Sequence, residues 1–151
     1  MIKNFFSIIF LFLFLNACEY KPIFSTNETD FRITEFNLND DNNISNQIVR
    51  VLKKYNNPSA KKNYTLELTS DKKKEVLAKD SKGNVKSYTI NIICNFKIYS
   101  NKKILKSKII SKSFIFSNDD DKFRLKKYET IIERNLVNEI IKDLVLELYS
   151  S

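Results

Sequence analysis

The residues best placed for chemistry are Leu15-Asn16-Ala17-Cys18, which close an apolar run from Phe5 to Leu15 made of Phe, Ile and Leu apart from Ser7. The short start before that run carries Lys3 and no acid. A basic start, an apolar stretch of this length and a small residue at the cleavage point describe a secretory signal; a membrane-spanning helix needs about 20 apolar residues. A cysteine directly after Leu-x-Ala is the pattern that bacterial lipoprotein-processing enzymes acylate and cut. Cys18 would then be the first mature residue, with its thiol and its amine carrying acyl chains. Each buried methylene contributes roughly 0.8 kcal/mol to membrane binding, so several chains anchor far more firmly than one. The plainer alternative is an ordinary signal peptide that ends near a cysteine.

Other chemistry is scarce. The chain has no His and no Trp, which removes the commonest general base, the usual zinc ligand and the usual partner of a nucleophilic Ser or Cys. If Cys18 is acylated, Cys94 stands alone and no intramolecular disulfide can form. Carboxylate or Ser-Lys chemistry stays formally open, but no spacing supports it. The expectation is a protein with no catalytic residues, no metal site and no cofactor. Removing Lys3 with the signal lowers the formal charge from +8 to +7. A basic balance suits nucleic acid, anionic lipid or lipopolysaccharide phosphates, and export argues against nucleic acid. With 22 Lys against 4 Arg, 18 Asn and 19 Ile, the composition also matches what AT-rich coding imposes on any protein. The sign of the charge is therefore more informative than its size.

The elements that must position anything useful follow from periodicity. Residues 1–17 are the signal, 18–30 a polar tether, and 31–149 one domain. Phe31 to Leu38 alternates loosely as a first strand. Asp40-Asp41-Asn42-Asn43 offers helix caps, and Ile44, Ile48, Val51, Leu52 and Tyr55 mark one face of a three-turn helix stopped by Asn56-Asn57-Pro58. Tyr64, Leu66 and Leu68 alternate as a second strand. The charged stretch from Lys72 to Lys79 predicts a solvent-facing strand around Val76 and Leu77. The only glycine, Gly83, sits in Asp80-Ser81-Lys82-Gly83-Asn84 where a hairpin needs positive φ. Tyr88, Ile90, Ile92, Cys94, Phe96 and Ile98 share one parity and predict a long half-buried strand, with Ile104 to Phe116 as its hairpin partner. Phe31, Phe36, Phe96, Phe114, Phe116 and Phe123 are expected mainly in the core, with some left to anchor an interface with a partner. Lys122 to Tyr149 predicts a final helix behind an acidic capping run. Its apolar stripe rotates midway, so either it bends near Asn135 to Asn138 or its halves pack on different neighbours. The order predicts an α+β fold, with two helices on one face of a four-stranded, mostly antiparallel sheet.

Cys18-Glu19-Tyr20-Lys21-Pro22-Ile23-Phe24 resembles the mature start of the lipopolysaccharide-assembly lipoproteins (LptE): acylated cysteine, aromatic, basic residue, proline, aliphatic, aromatic. The layout that follows is similar too, with a strand, a short helix, a Tyr-x-Leu-x-Leu strand, a long hairpin and a C-terminal helix. Ser113-Phe114 departs from the family's Ser-Tyr pair before the last helix, so any hydrogen bond of that hydroxyl does not transfer. The resemblance implies a non-enzymatic outer-membrane lipoprotein. It would plug and help assemble the LptD-type β-barrel translocon and take part in lipopolysaccharide delivery to the cell surface. Its partners would be that barrel, lipopolysaccharide and outer-membrane lipid. Glu19 suits outer-membrane sorting, since inner-membrane retention usually has Asp there. The alternative is an unrelated, periplasm-facing lipoprotein acting as a binding or envelope-structure module.

Lys106, Lys108 and Lys112 share a parity on the last strand, and Lys97 lies on the polar parity of its hairpin neighbour. On the functional reading they form a cationic face for lipopolysaccharide phosphates or acidic barrel-lumen groups. On the plain reading they are solvated lysines that guard a sheet edge against aggregation. The acylation motif makes the first prediction. Growth with labelled palmitate should label the chain, and Cys18→Ser should abolish both the label and fractionation with membranes.

Overall fold

The half-buried strand with the cleanest alternation becomes an interior strand of the sheet. The computed structural model describes residues 29–40 and 42–151; the signal, Cys18, the tether through residue 28 and Asp41 lie outside the described residues. Strand β3 (Val85–Ser100) pairs antiparallel with β2 (Lys62–Lys79) on one side and β4 (Lys103–Ser117) on the other. Strand β1 (Phe31–Leu38) pairs parallel with β2, giving the order β1-β2-β3-β4. A parallel neighbour requires a crossover, and helix α1 (Asn43–Leu52), followed by a 3-10 turn at Lys53–Tyr55, supplies it. Helix α2 (Lys122–Tyr149) closes the chain. The architecture is therefore the α+β arrangement that the periodicity predicts.

Local chemistry explains the ends. The Asn42 side chain accepts from the Ile44 N–H at 2.9 Å, capping α1. The Asp121 carboxylate accepts from the N–H groups of Phe123 and Arg124, capping α2 and placing negative charge at its positive pole. Gly83 has φ +85°, as its turn demands. The buried layer consists of alternate residues of β2 and β3 (Leu66, Leu68, Ile90, Ile92, Phe96, Ile98) against Ile48 and Leu52 of α1 and Ile140, Leu144 and Leu148 of α2. Cys94 belongs to this layer, and burial pushes its thiol up to about 12.

The structure decides three points that the sequence left open or misplaced. The charged stretch Lys72–Lys79 is a solvent-facing strand, and it is the continuation of β2, which runs 18 residues because the 16-residue β3 pairs along nearly all of it. Phe114 and Phe123 are exposed, Phe123 by 81%, because Phe114 sits on an edge strand and Phe123 on the outer side of the first turn of α2. Helix α2 is unbroken through Asn135–Asn138, and its halves meet different neighbours. The first half buries a narrow line at Leu125 and Ile132. The second buries a broad band, Leu136, Val137, Ile140, Ile141, Leu144, Val145 and Leu148. Contact between the two helices accounts for the extra width, since a helix touching both a sheet and a helix must bury two adjacent faces. Replacing Leu144, which is fully buried, with Ala should lower the unfolding free energy by about 2–5 kcal/mol in urea titration. In the folded protein a thiol reagent at pH 8 should leave Cys94 unmodified.

Candidate functional site

Side-chain parity on β4 is set by its register with β3. Ile98 faces Lys106, Phe96 faces Lys108, Cys94 faces Ile110 and Ile92 faces Lys112. The three lysines therefore lie on the helix-covered side of the sheet, at its outer rim. Lys97 lies on the opposite, open side. The sequence expectation of one cationic face is thus replaced by two separate groups.

The rim group is matched to α2. Lys108 Nζ reaches Glu147 Oε1 at 2.5 Å and Lys106 Nζ reaches Glu147 Oε2 at 3.0 Å. Lys106 also donates to Ser150 Oγ at 2.7 Å. Lys112 Nζ meets Asp143 Oδ2 at 2.7 Å. Lys108, then Lys106, hold the Glu147 carboxyl below its ordinary value, while the Asp143 hydrogen bond raises Lys112. The three ammonium groups pair with Glu147 and Asp143, with Glu139 also acting on Lys112, beside a shallow depression lined by Ile109, Ile110 and Leu146. The other flank of α2 is stitched the same way, by Lys72 to Glu133 at 2.6 Å and by Lys74 to Glu129. Lys74 also lies 4.1 Å from the centre of the Tyr88 ring.

On the open side, Glu67 accepts from Lys97 Nζ and Tyr99 OH, each at 2.8 Å, and from Asn39 Nδ2 at 3.2 Å. Lys97, then Tyr99, lower the Glu67 carboxyl. This network lines a polar depression of about 360 Å³ with Thr69, Asn95 and Ser107. Beyond it the open side exposes Ile109 (69%) and Ile115 among serines and asparagines. Sequence reasoning missed this apolar strip. Strand β4 carries isoleucines or phenylalanines on both parities, so alternation could not decide which parity faces the helices. Among the described residues, no group of three or more acids and cysteines is placed to hold a metal ion. Cys18 lies outside the described residues.

No protein-family model matches the chain, and no curated protein matches it. Solved structures share its fold. The uncharacterized lipoprotein B of Nitrosomonas europaea matches with a TM-score of 0.64 at 12% identity, over 81% of this chain and 86% of that one. The rare lipoprotein B of Shewanella oneidensis matches with a TM-score of 0.56 at 13% identity, over 77% and 93%. A minor lipoprotein of Acinetobacter baumannii matches with a TM-score of 0.60 at 8% identity, over 82% and 93%.

Because the folded Glu147 carboxyl titrates below its ordinary 4.5, its ion pairs stabilise the fold above that pH and are lost as pH falls through the lowered value. Glu147→Gln should reduce stability at pH 7 by roughly 0.5–1 kcal/mol. It should also remove part of the decline in urea midpoint between about pH 5 and pH 3.

Proposed function

We propose that this chain is an outer-membrane lipoprotein, anchored through Cys18, that seats in the lumen of an LptD-type β-barrel and takes part in lipopolysaccharide delivery. The observation that carries the reading is a conjunction. A chain with the Leu15–Cys18 acylation motif folds like solved proteins that are themselves called lipoproteins, over about four fifths of its length. The Cys18–Phe24 resemblance narrows that class to the lipopolysaccharide-assembly family.

The domain's build suits work by contact rather than catalysis. One sheet with helices on one side leaves a broad open side, where Ile109 and Ile115 supply apolar contact and Thr, Ser and Asn side chains supply hydrogen bonds to a barrel wall. The rim lysines Lys106, Lys108 and Lys112 supply charge-assisted hydrogen bonds to phosphate, each still oriented by its carboxylate partner. Lys97, held by Glu67 on the open side, is a contact for the barrel lumen.

Affinity purification from detergent-solubilised outer membrane should co-isolate a large β-barrel subunit. Purification of the chain alone would favour an independent envelope lipoprotein. Replacing Lys106, Lys108 and Lys112 with Gln should weaken lipopolysaccharide binding roughly three- to tenfold, with a reduced dependence on salt. Unchanged binding would remove the rim from the proposal.

A further inference from the structure

The two hairpin turns stand at opposite ends of the sheet and are built differently. The β2–β3 turn is self-contained. Asp80 accepts from the backbone of Lys82 and Asn84 and from the Asn84 side chain, and Gly83 takes the positive φ. The Asn84 hydrogen bonds lower the Asp80 carboxyl.

The β3–β4 turn, Ser100 to Lys103, spends its residues otherwise. Asn101 and Lys102 have φ of +49° and +64°, the left-handed pair of a two-residue hairpin loop whose second position ordinarily takes glycine. Lysine there carries a backbone strain of order 1 kcal/mol that glycine would avoid. Beside it, Lys103 is exposed, and Ile104 and Leu105 are 58% and 49% exposed. Neither Lys102 nor Lys103 has an acidic partner among the described residues, and the same is true of Lys54 and Lys61 in the segment after α1.

This turn shares its end of the sheet with the start of the described chain. Thr65 pairs with Tyr99 and Phe31 with Lys62, so the start of β1, the start of β2 and the β3–β4 turn lie together. Thr29 is held there by donating to the Tyr55 carbonyl and accepting from Asn57 Nδ2, both at 2.7 Å. Eleven residue steps separate Thr29 from Cys18, and fully extended they span at most about 40 Å.

We infer, on the reading that Cys18 carries an acyl anchor, that before the domain seats in any barrel the β3–β4 turn is its membrane-docking tip. Ile104 and Leu105 enter the headgroup boundary of an anionic phospholipid bilayer, and Lys102, Lys103, Lys54 and Lys61 face its phosphates. Apolar residues flanked by cations are what an interfacial element requires. The anchor concentrates the tip at the bilayer, so weak individual contacts suffice. The consequence is orientation: the sheet stands with its Asp80–Asn84 end away from the membrane.

The test uses the acylated full mature chain in vesicles of phosphatidylcholine with phosphatidylglycerol. A single cysteine at Leu105→Cys, or at Lys82→Cys as the far-end control, receives an environment-sensitive fluorophore. Buried Cys94 stays unlabelled, as labelling of the parent chain checks. The Leu105 probe should be quenched by shallow quencher lipids and the Lys82 probe should not. Each lysine is worth about fivefold at an anionic surface, so adding Lys102→Gln and Lys103→Gln should weaken docking roughly 30-fold. Circular dichroism of that variant checks that it is folded. If palmitate labels the chain but both probes report water, the tip is overturned and the anchor stands. If palmitate does not label the chain, the anchor falls and takes the docked orientation with it. Quenching that appears only when lipopolysaccharide replaces phosphatidylglycerol overturns the phospholipid assignment.

Discussion

One side of β3 lies beneath α2, and most of the architecture answers to that contact. Ile90, Ile92, Cys94, Phe96 and Ile98 are buried in succession, and at about 1.5–3 kcal/mol for each large side chain this row is a major source of stability. Helix α2 lies over both β3 and β4, and Phe116 of β4 is buried against Tyr128 of the helix. Along the two flanks of the helix, Lys72 and Lys74 of β2 and Lys106, Lys108 and Lys112 of β4 reach its acids. Where α1 covers β2, the same side is apolar again at Leu66 and Leu68.

The boundary between those regimes on β2 is a polar knot at Ser70. Its N–H donates to Asp40 at 2.7 Å, its carbonyl accepts from Asn42 Nδ2 at 3.0 Å, and its hydroxyl meets that of Ser45 at 2.7 Å. Every polar group of a buried serine is thereby matched, which offsets its desolvation. Past this point β2 is exposed on both sides through Lys79, although its ladder with β3 continues. The ion pairs flanking α2 contribute little to stability singly, since exposed pairs are worth about 0–1 kcal/mol. Their effect is alignment: acids on both flanks of α2 are tied to both neighbouring strands. A consequence is that the rim cations are partly neutralised, so an anionic ligand meets a tuned, oriented set of donors and not a bare positive field.

The domain has two distinct ends and two distinct sides. One end gathers the start of the described chain, the C-terminal turn of α2 and a turn rich in cations and isoleucine or leucine. The other carries a compact glycine turn. One side is sealed by helices, and the other presents a mixed strip of apolar and hydroxyl side chains. Such asymmetry fits the proposed role, in which the anchor would fix which end faces the bilayer and the fold would fix which side faces a partner.

The sequence by itself determined the element order, both helix caps, the glycine turn, the inward parity of β3 and the bounds of α2. All of these depend on neighbours within a few residues, or on a period that one face repeats. It also set out the Leu15–Cys18 motif, whose chemistry needs no tertiary context. The continuity of β2 through Lys79 depended on a partner strand supplying hydrogen bonds to a segment with little apolar content of its own. The side taken by Lys106, Lys108 and Lys112 depended on register with β3, because β4 is apolar on both parities and a one-residue slip would exchange its sides. The meeting of the β3–β4 turn with the start of β1 was decided only by the order in which the strands assemble. Local propensity reports a residue's own backbone, whereas register and strand order are pairwise choices between distant segments, and those only the tertiary structure made.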